Sequence, residues 1–214
     1  MKKILALTLV LAMSLSLISC SLIPFDIGGQ NDDDKGSTPV LSRGTIEGNV
    51  YTSEYLGVSF TKPESWVYST DEEIAAAVNM GVDMFINENF KDALENNLSI
   101  YDMMVIDSIT RSNINVGFEN LAKSFSSNIT VDQYIESLKS QLAQISSMKV
   151  TFPESSKTVK LSGTEFTKLQ CTTTTQGITF TQVYYLRKVD KYIGFIIATI
   201  PSGYSVEQIE AMFD

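Results

Sequence analysis

The run TEFTKLQCTTTTQGITFTQVYYLRKVDKYIGFIIATI, from Thr164 to Ile200, holds three β-rich segments divided by short polar turns. Its segments are Thr164 to Thr174, Ile178 to Arg187 and Tyr192 to Ile200, with Gln176-Gly177 and Val189-Asp190-Lys191 between them. A parallel crossover takes a dozen or more residues, so connections this short allow only antiparallel hairpins. Thr172 to Thr175 suits a strand with one wet face. Upstream, Met148 to Phe152 and Thr158 to Leu161 are set off by Ser155-Ser156 and Ser162-Gly163. They extend the same expected series of hairpins.

Helical patterns flank this strand-rich third. Thr130 stands as a cap, Gln133 as its capping-box partner, and Val131, Tyr134, Ile135, Leu138, Leu142 and Ile145 form one apolar stripe. That stripe predicts a helix packed on a sheet. Ser205 opens a terminal helix with Val206, Ile209, Met212 and Phe213 inward. Ser99 to Asp107 is apolar at alternate positions on both faces, which predicts a central strand covered on each side, and a more polar strand follows from about Ser112 to Gly117. Ser69-Thr70-Asp71-Glu72-Glu73 reads as a helix start, with acids suited to the helix dipole. Gly81 breaks that helix, and a second pattern places Val82, Phe85, Ile86, Phe90, Ala93 and Leu94 on one face. Before these helices, Val58 and Phe60 mark a half-buried strand, Pro63 stops it, and Trp66-Val67-Tyr68 begins the return. Trp66 is expected as a core plug beside that turn. The class is α+β, an antiparallel sheet flanked by helices.

The N-terminus carries a different message. Lys2-Lys3 precede an apolar run from Ile4 to Ile18, about fifteen residues and short of the roughly twenty that span a bilayer. Leu17-Ile18-Ser19-Cys20 resembles the lipobox of bacterial lipoproteins, whose Cys receives diacylglycerol. That resemblance implies a signal peptide over 1–19, lipid attachment at Cys20 and a membrane-anchored protein facing outside the cytoplasm. An ordinary signal peptide with an incidental Cys is the alternative. Residues 20–43 are rich in Gly, Pro and Asp and read as a flexible acidic linker, with a reach of about 25–30 Å. Residues 44–214 remain for a single domain, long enough for a sizeable core.

Composition narrows the chemistry. The chain has 214 residues, 43% of them hydrophobic, and a net charge of −9, which becomes −11 if Lys2 and Lys3 leave with the leader. Phosphate backbones and anionic head groups repel such a domain, so no nucleic acid is expected. With no His, imidazole bases, His-ligated zinc and Ser-His-Asp or Cys-His sites are all excluded. Cys20 would be acylated, leaving Cys171 without a disulfide partner; a buried hydrophobe is its expected role. Asp32-Asp33-Asp34 lacks the spaced ligands of a calcium loop. No catalytic residue, cofactor or metal ligand is therefore expected. A hydrolase built on two carboxylates remains open, although no pair of acids is singled out.

Leu56-Gly57-Val58-Ser59-Phe60-Thr61-Lys62-Pro63-Glu64-Ser65-Trp66 is similar to the opening of the PsbP-like family. The later order also resembles that family: a central strand, the helix near Thr130, Gly163-Thr164-Glu165-Phe166 before the hairpins, and a closing helix. The resemblance implies an α/β/α sandwich over nearly the whole folded part. The family includes a photosystem subunit and a Ran-binding nuclear import factor, and their shared trait is protein binding without catalysis. The expectation is a non-enzymatic, lipid-anchored extracytoplasmic module that binds another envelope protein. Tyr101, Tyr184 and Tyr185 qualify as contact residues only if exposed; strand core is the other reading. A module for an apolar solute or lipid is the alternative, and it requires an enclosed pocket of roughly 300 Å³ or more.

Overall fold

The computed structural model describes residues 40–124 and 127–213. An eight-stranded antiparallel sheet dominates: β4 (Trp66–Tyr68), β5 (Ser99–Asp107), β6 (Asn113–Asn120), β7 (Met148–Thr151), β8 (Lys157–Leu161), β9 (Thr164–Thr175), β10 (Ile178–Val189) and β11 (Tyr192–Ile200). Their order is β4-β5-β6-β11-β10-β9-β7, and β8 also pairs with β9. The long hairpins form as expected. Gln176 and Gly177 have φ values of 50° and 79°, so the β9–β10 loop takes the doubly left-handed turn that follows strand twist. Every β11 residue is buried, because this strand lies at the middle of the sheet with both faces covered.

Three local expectations are corrected. β7 and β8 do not form a hairpin with each other. Both run antiparallel to β9, at Thr172–Thr175 and Thr164–Lys168 respectively, as one edge broken between them. Pro153, which has no N–H to give a ladder, lies in the break. β5 is heavily buried as predicted, but it stands second from the edge, behind the three-residue β4. Trp66 does not begin a return onto the preceding strand. β1 (Thr45–Glu47), β2 (Val50–Ser53) and β3 (Val58–Thr61) make a separate three-stranded sheet, while β4 crosses to pair with β5.

Register decides what each face meets. Ile114, Val116 and Phe118 alternate along β6, and Phe118 meets Tyr55 edge-on at 5.5 Å and Phe90 at 6.0 Å. The small sheet, helix α1 (Asp71–Val78) and helix α2 (Asn87–Asn96) therefore cover this face. Glu119 points to the other face, where it receives the Tyr134 hydroxyl of helix α4 (Val131–Gln144). A one-turn helix, α3 (Leu121–Ser124), follows β6, and α5 (Val206–Glu210) ends the chain.

The predicted caps at Thr70, Thr130 and Ser205 each form a complete capping box, with Glu73, Gln133 and Gln208. Such a box satisfies two orphan backbone donors within four residues, so it needs nothing distant. The stretch from Leu56 to Trp66 acts in tertiary packing. Gly57 sits at φ 69°, which lets the chain turn so that Leu56 O accepts from Arg187 at 2.7 Å and Gly57 O accepts from Thr164 at 2.6 Å. Leu56 then fills the space over Gly194, where an added Cβ would stand 2.2 Å from its Cδ1. Trp66 is a core plug as expected: it is buried, donates to the Tyr204 hydroxyl at 2.9 Å and stacks edge-on with that ring.

Candidate functional site

Where the chain enters the domain, a buried polar clamp holds it. Opposite Gly117 and Val116, β5 carries a bulge between Tyr101 and Met103, so Asp102 is its extra residue. A bulge re-aims one side chain without disturbing the strand around it. The Asp102 carboxylate, fully buried, accepts from the Tyr51 hydroxyl at 2.6 Å and from the Gly44 amide at 2.9 and 3.1 Å. Arg43 stands 3.5 Å from it through Nε. The same guanidinium forks onto Asp71 of α1 and donates to the carbonyl of Phe85. Arg43, the last residue of the expected linker, is thus gripped by three separate segments. Asp71 is the main influence raising the Arg43 pKa.

Beside the clamp lies an open cleft of about 270 Å³. Val40 and Leu41 form one wall, α2 contributes Lys91 and Glu95, the β10–β11 turn contributes Asp190 and Lys191, and β11 contributes Tyr192. Lys191 stands 3.7 Å from Glu95 and 5.4 Å from the centre of the Tyr192 ring. Four charged side chains and an open mouth do not match an enclosed apolar pocket.

The segment before α2 departs from expectation. Val82 and Ile86 were expected on the inward face of one continuous helix. Instead Val82–Phe85 forms a 3-10 turn and Ile86 is extended, so only Phe85 of that turn is buried. Three residues per turn, against 3.6, rotates the apolar set off a common face. Val82 is left 46% exposed and Ile86 54% exposed. A sequence signal existed: Gly81 ahead of a four-residue apolar run with an Asp inside it.

The other residues named by sequence lie elsewhere. Cys20 and Asp32-Asp33-Asp34 fall outside the described residues. Tyr101, Tyr184 and Tyr185 are all buried, which settles them as strand core. Tyr184 donates to Gln182 at 3.0 Å, and Tyr185 donates to Glu210 at 3.0 Å, where Lys168 also binds. Cys171 is fully buried and its thiol is pushed up to about 11 by burial, so it is a poor nucleophile at neutral pH.

A second buried carboxyl was missed. Glu119 is fully buried, its Oε2 receives the Tyr134 hydroxyl at 2.5 Å, and its Oε1 has no hydrogen-bond partner among the described residues. Burial pushes its carboxyl upward, against the hydrogen bond from Tyr134. Among the described residues, no three His, Cys, Asp or Glu side chains group as a metal site, and no helix is long and apolar enough to cross a membrane.

No protein-family model matches the chain, and no curated protein matches it. A crystal structure from Bacteroides thetaiotaomicron VPI-5482 is similar at 14% identity and a TM-score of 0.41. The alignment covers 77% of this chain and 46% of that one, so this chain spans about half of that protein's length.

Proposed function

We propose that this protein is a lipid-anchored extracytoplasmic module of PsbP-like α/β/α type that binds an envelope protein without catalysing a reaction. Cys20 in its lipobox setting carries the reading, since it assigns the anchor and the compartment. The clamp at Arg43 supports it by giving the linker a fixed point of attachment to the domain. The chemistry of the side chains agrees: the one cysteine of the domain is buried, and Glu95 at the cleft pairs with Lys191.

The test is chemical crosslinking in intact cells, with capture through a C-terminal tag and a Cys20→Ser control. One enriched envelope protein, lost or reduced in the control, is the expected result. Repeated capture of nothing specific would overturn the reading. Native mass spectrometry of the purified protein would then look for an apolar solute or lipid instead.

A further inference from the structure

The helical layer from Asp71 to Asn96 combines two features that soluble surfaces rarely join. It presents Val82, 46% exposed at the start of the 3-10 turn, and Ile86, 54% exposed directly after it. Around them stand seven carboxylates, Asp71, Glu72, Glu73, Asp83, Glu88, Asp92 and Glu95, against the single cation Lys91. Arg43 neutralises Asp71, and Lys191 stands beside Glu95. Glu72, Glu73, Asp83, Glu88 and Asp92 are exposed and make no ion pair among the described residues, and α1 and α2 each pack against the 3-10 turn, so these charges flank the apolar pair.

Charge decides what can cover that pair. A second copy would bring the same acidic layer against itself. An anionic lipid surface is repelled in the same way. The chain's own linker carries Asp26, Asp32, Asp33 and Asp34 against Lys35, so it is repelled as well. A cationic protein segment with apolar side chains gains on both counts, because its charges steer it in and its apolar groups remove Val82 and Ile86 from water.

We infer that the Asp71–Asn96 layer is the docking surface of this protein, and that its occupant is a basic, apolar-bearing segment of a partner protein. This rests on the protein-binding function proposed above and adds the place and the partner's chemistry.

The test places a photo-crosslinking amino acid singly at Val82, Ile86, Ile109 and Ile178 in the full-length protein in intact cells. Ile109 and Ile178 are 80% and 47% exposed, in the β5–β6 connection and at the start of β10, outside this layer, so they serve as comparison positions. One protein adduct is expected from residues 82 and 86 and none from 109 and 178. The crosslinked peptide of the partner should carry more Lys and Arg than Asp and Glu. Combining Glu72→Gln, Asp83→Asn, Glu88→Gln and Asp92→Asn should reduce adduct yield about tenfold, with an unchanged melting temperature showing that the fold is intact.

A protein adduct from 109 or 178 and none from 82 or 86 would overturn this surface while leaving protein binding in place. Adducts only to lipid or to another copy of the chain would overturn the occupant. No adduct at any position, together with empty chemical crosslinking, would remove the protein-binding function itself.

Discussion

Asp102 and Glu119 are both buried carboxyls on neighbouring strands, yet their surroundings differ in kind. Asp102 has a cation within 3.5 Å, a backbone amide and a phenol, and it ties together the entry segment, β2 and α1 through Arg43. Glu119 has the Tyr134 phenol on one oxygen, nothing on the other, and no ion pair among the described residues. Burial pushes both groups upward. At Asp102, Tyr51, Gly44 and Arg43 oppose it in that order; at Glu119 the Tyr134 hydroxyl does. The difference teaches that a buried acid holds a fold together through the number and kind of its donors. Burial alone opposes the charged form.

The hardest break is on the Asp102 side. Asp102→Ala leaves the Tyr51 hydroxyl, the Gly44 amide and one flank of Arg43 without their acceptor. A loss of about 3 kcal/mol is expected from removing one member of a buried charged group. Urea unfolding would check it, and a loss below about 1 kcal/mol would show that Asp71 alone holds Arg43.

On the Glu119 side, Tyr134→Phe removes the one hydrogen bond to Oε2, at an expected cost of about 1–3 kcal/mol. Glu119→Gln should act in the opposite direction at neutral and higher pH. The folded carboxyl titrates above its ordinary value, so the native protein holds this proton more tightly than the unfolded chain does. Its contribution is complete below the unfolded pKa of about 4.3 and is lost as pH rises through the raised folded value. The glutamine variant should therefore gain on the parent as pH rises and lose that gain in acid. Denaturation curves at a series of pH values would show it, and parallel curves would refute an uncompensated Glu119.

Smaller effects separate the rest of the core from these two centres. Gly57→Ala forces a side chain onto φ 69° beside Thr164, and a cost of about 1–2 kcal/mol is expected by thermal unfolding. Cys171 should resist maleimide in the native protein and react on adding denaturant, since its thiol is buried and pushed up to about 11. Rapid native labelling would mean that the β9–β10 region opens readily.

The two centres also show where sequence reading stops. Glu119 falls after Val116-Gly117-Phe118, on a strand expected to end near Gly117, so nothing marked it as interior. Asp102 stood inside an apolar strand, a signal of burial, but the bulge that turns it toward Arg43 depends on how β5 and β6 pair. Val82 and Ile86 fitted a helical period, and only the 3-10 geometry of the turn leaves them exposed. The edge formed by β7 and β8 depends on their sharing β9, which their own turn residues do not encode.

By itself, the sequence determined the β8–β9, β9–β10 and β10–β11 hairpins, the three capped helices and the burial of Trp66 and Cys171. Turns, caps and alternation act over a few residues, so the forces that set them lie close along the chain. Only the tertiary structure decided the division into two sheets, the bulge at Asp102, the pinning of Arg43 and the exposure of the acidic layer with its apolar pair. Each of these depends on groups separated by tens of residues, brought together by packing that local pattern does not contain.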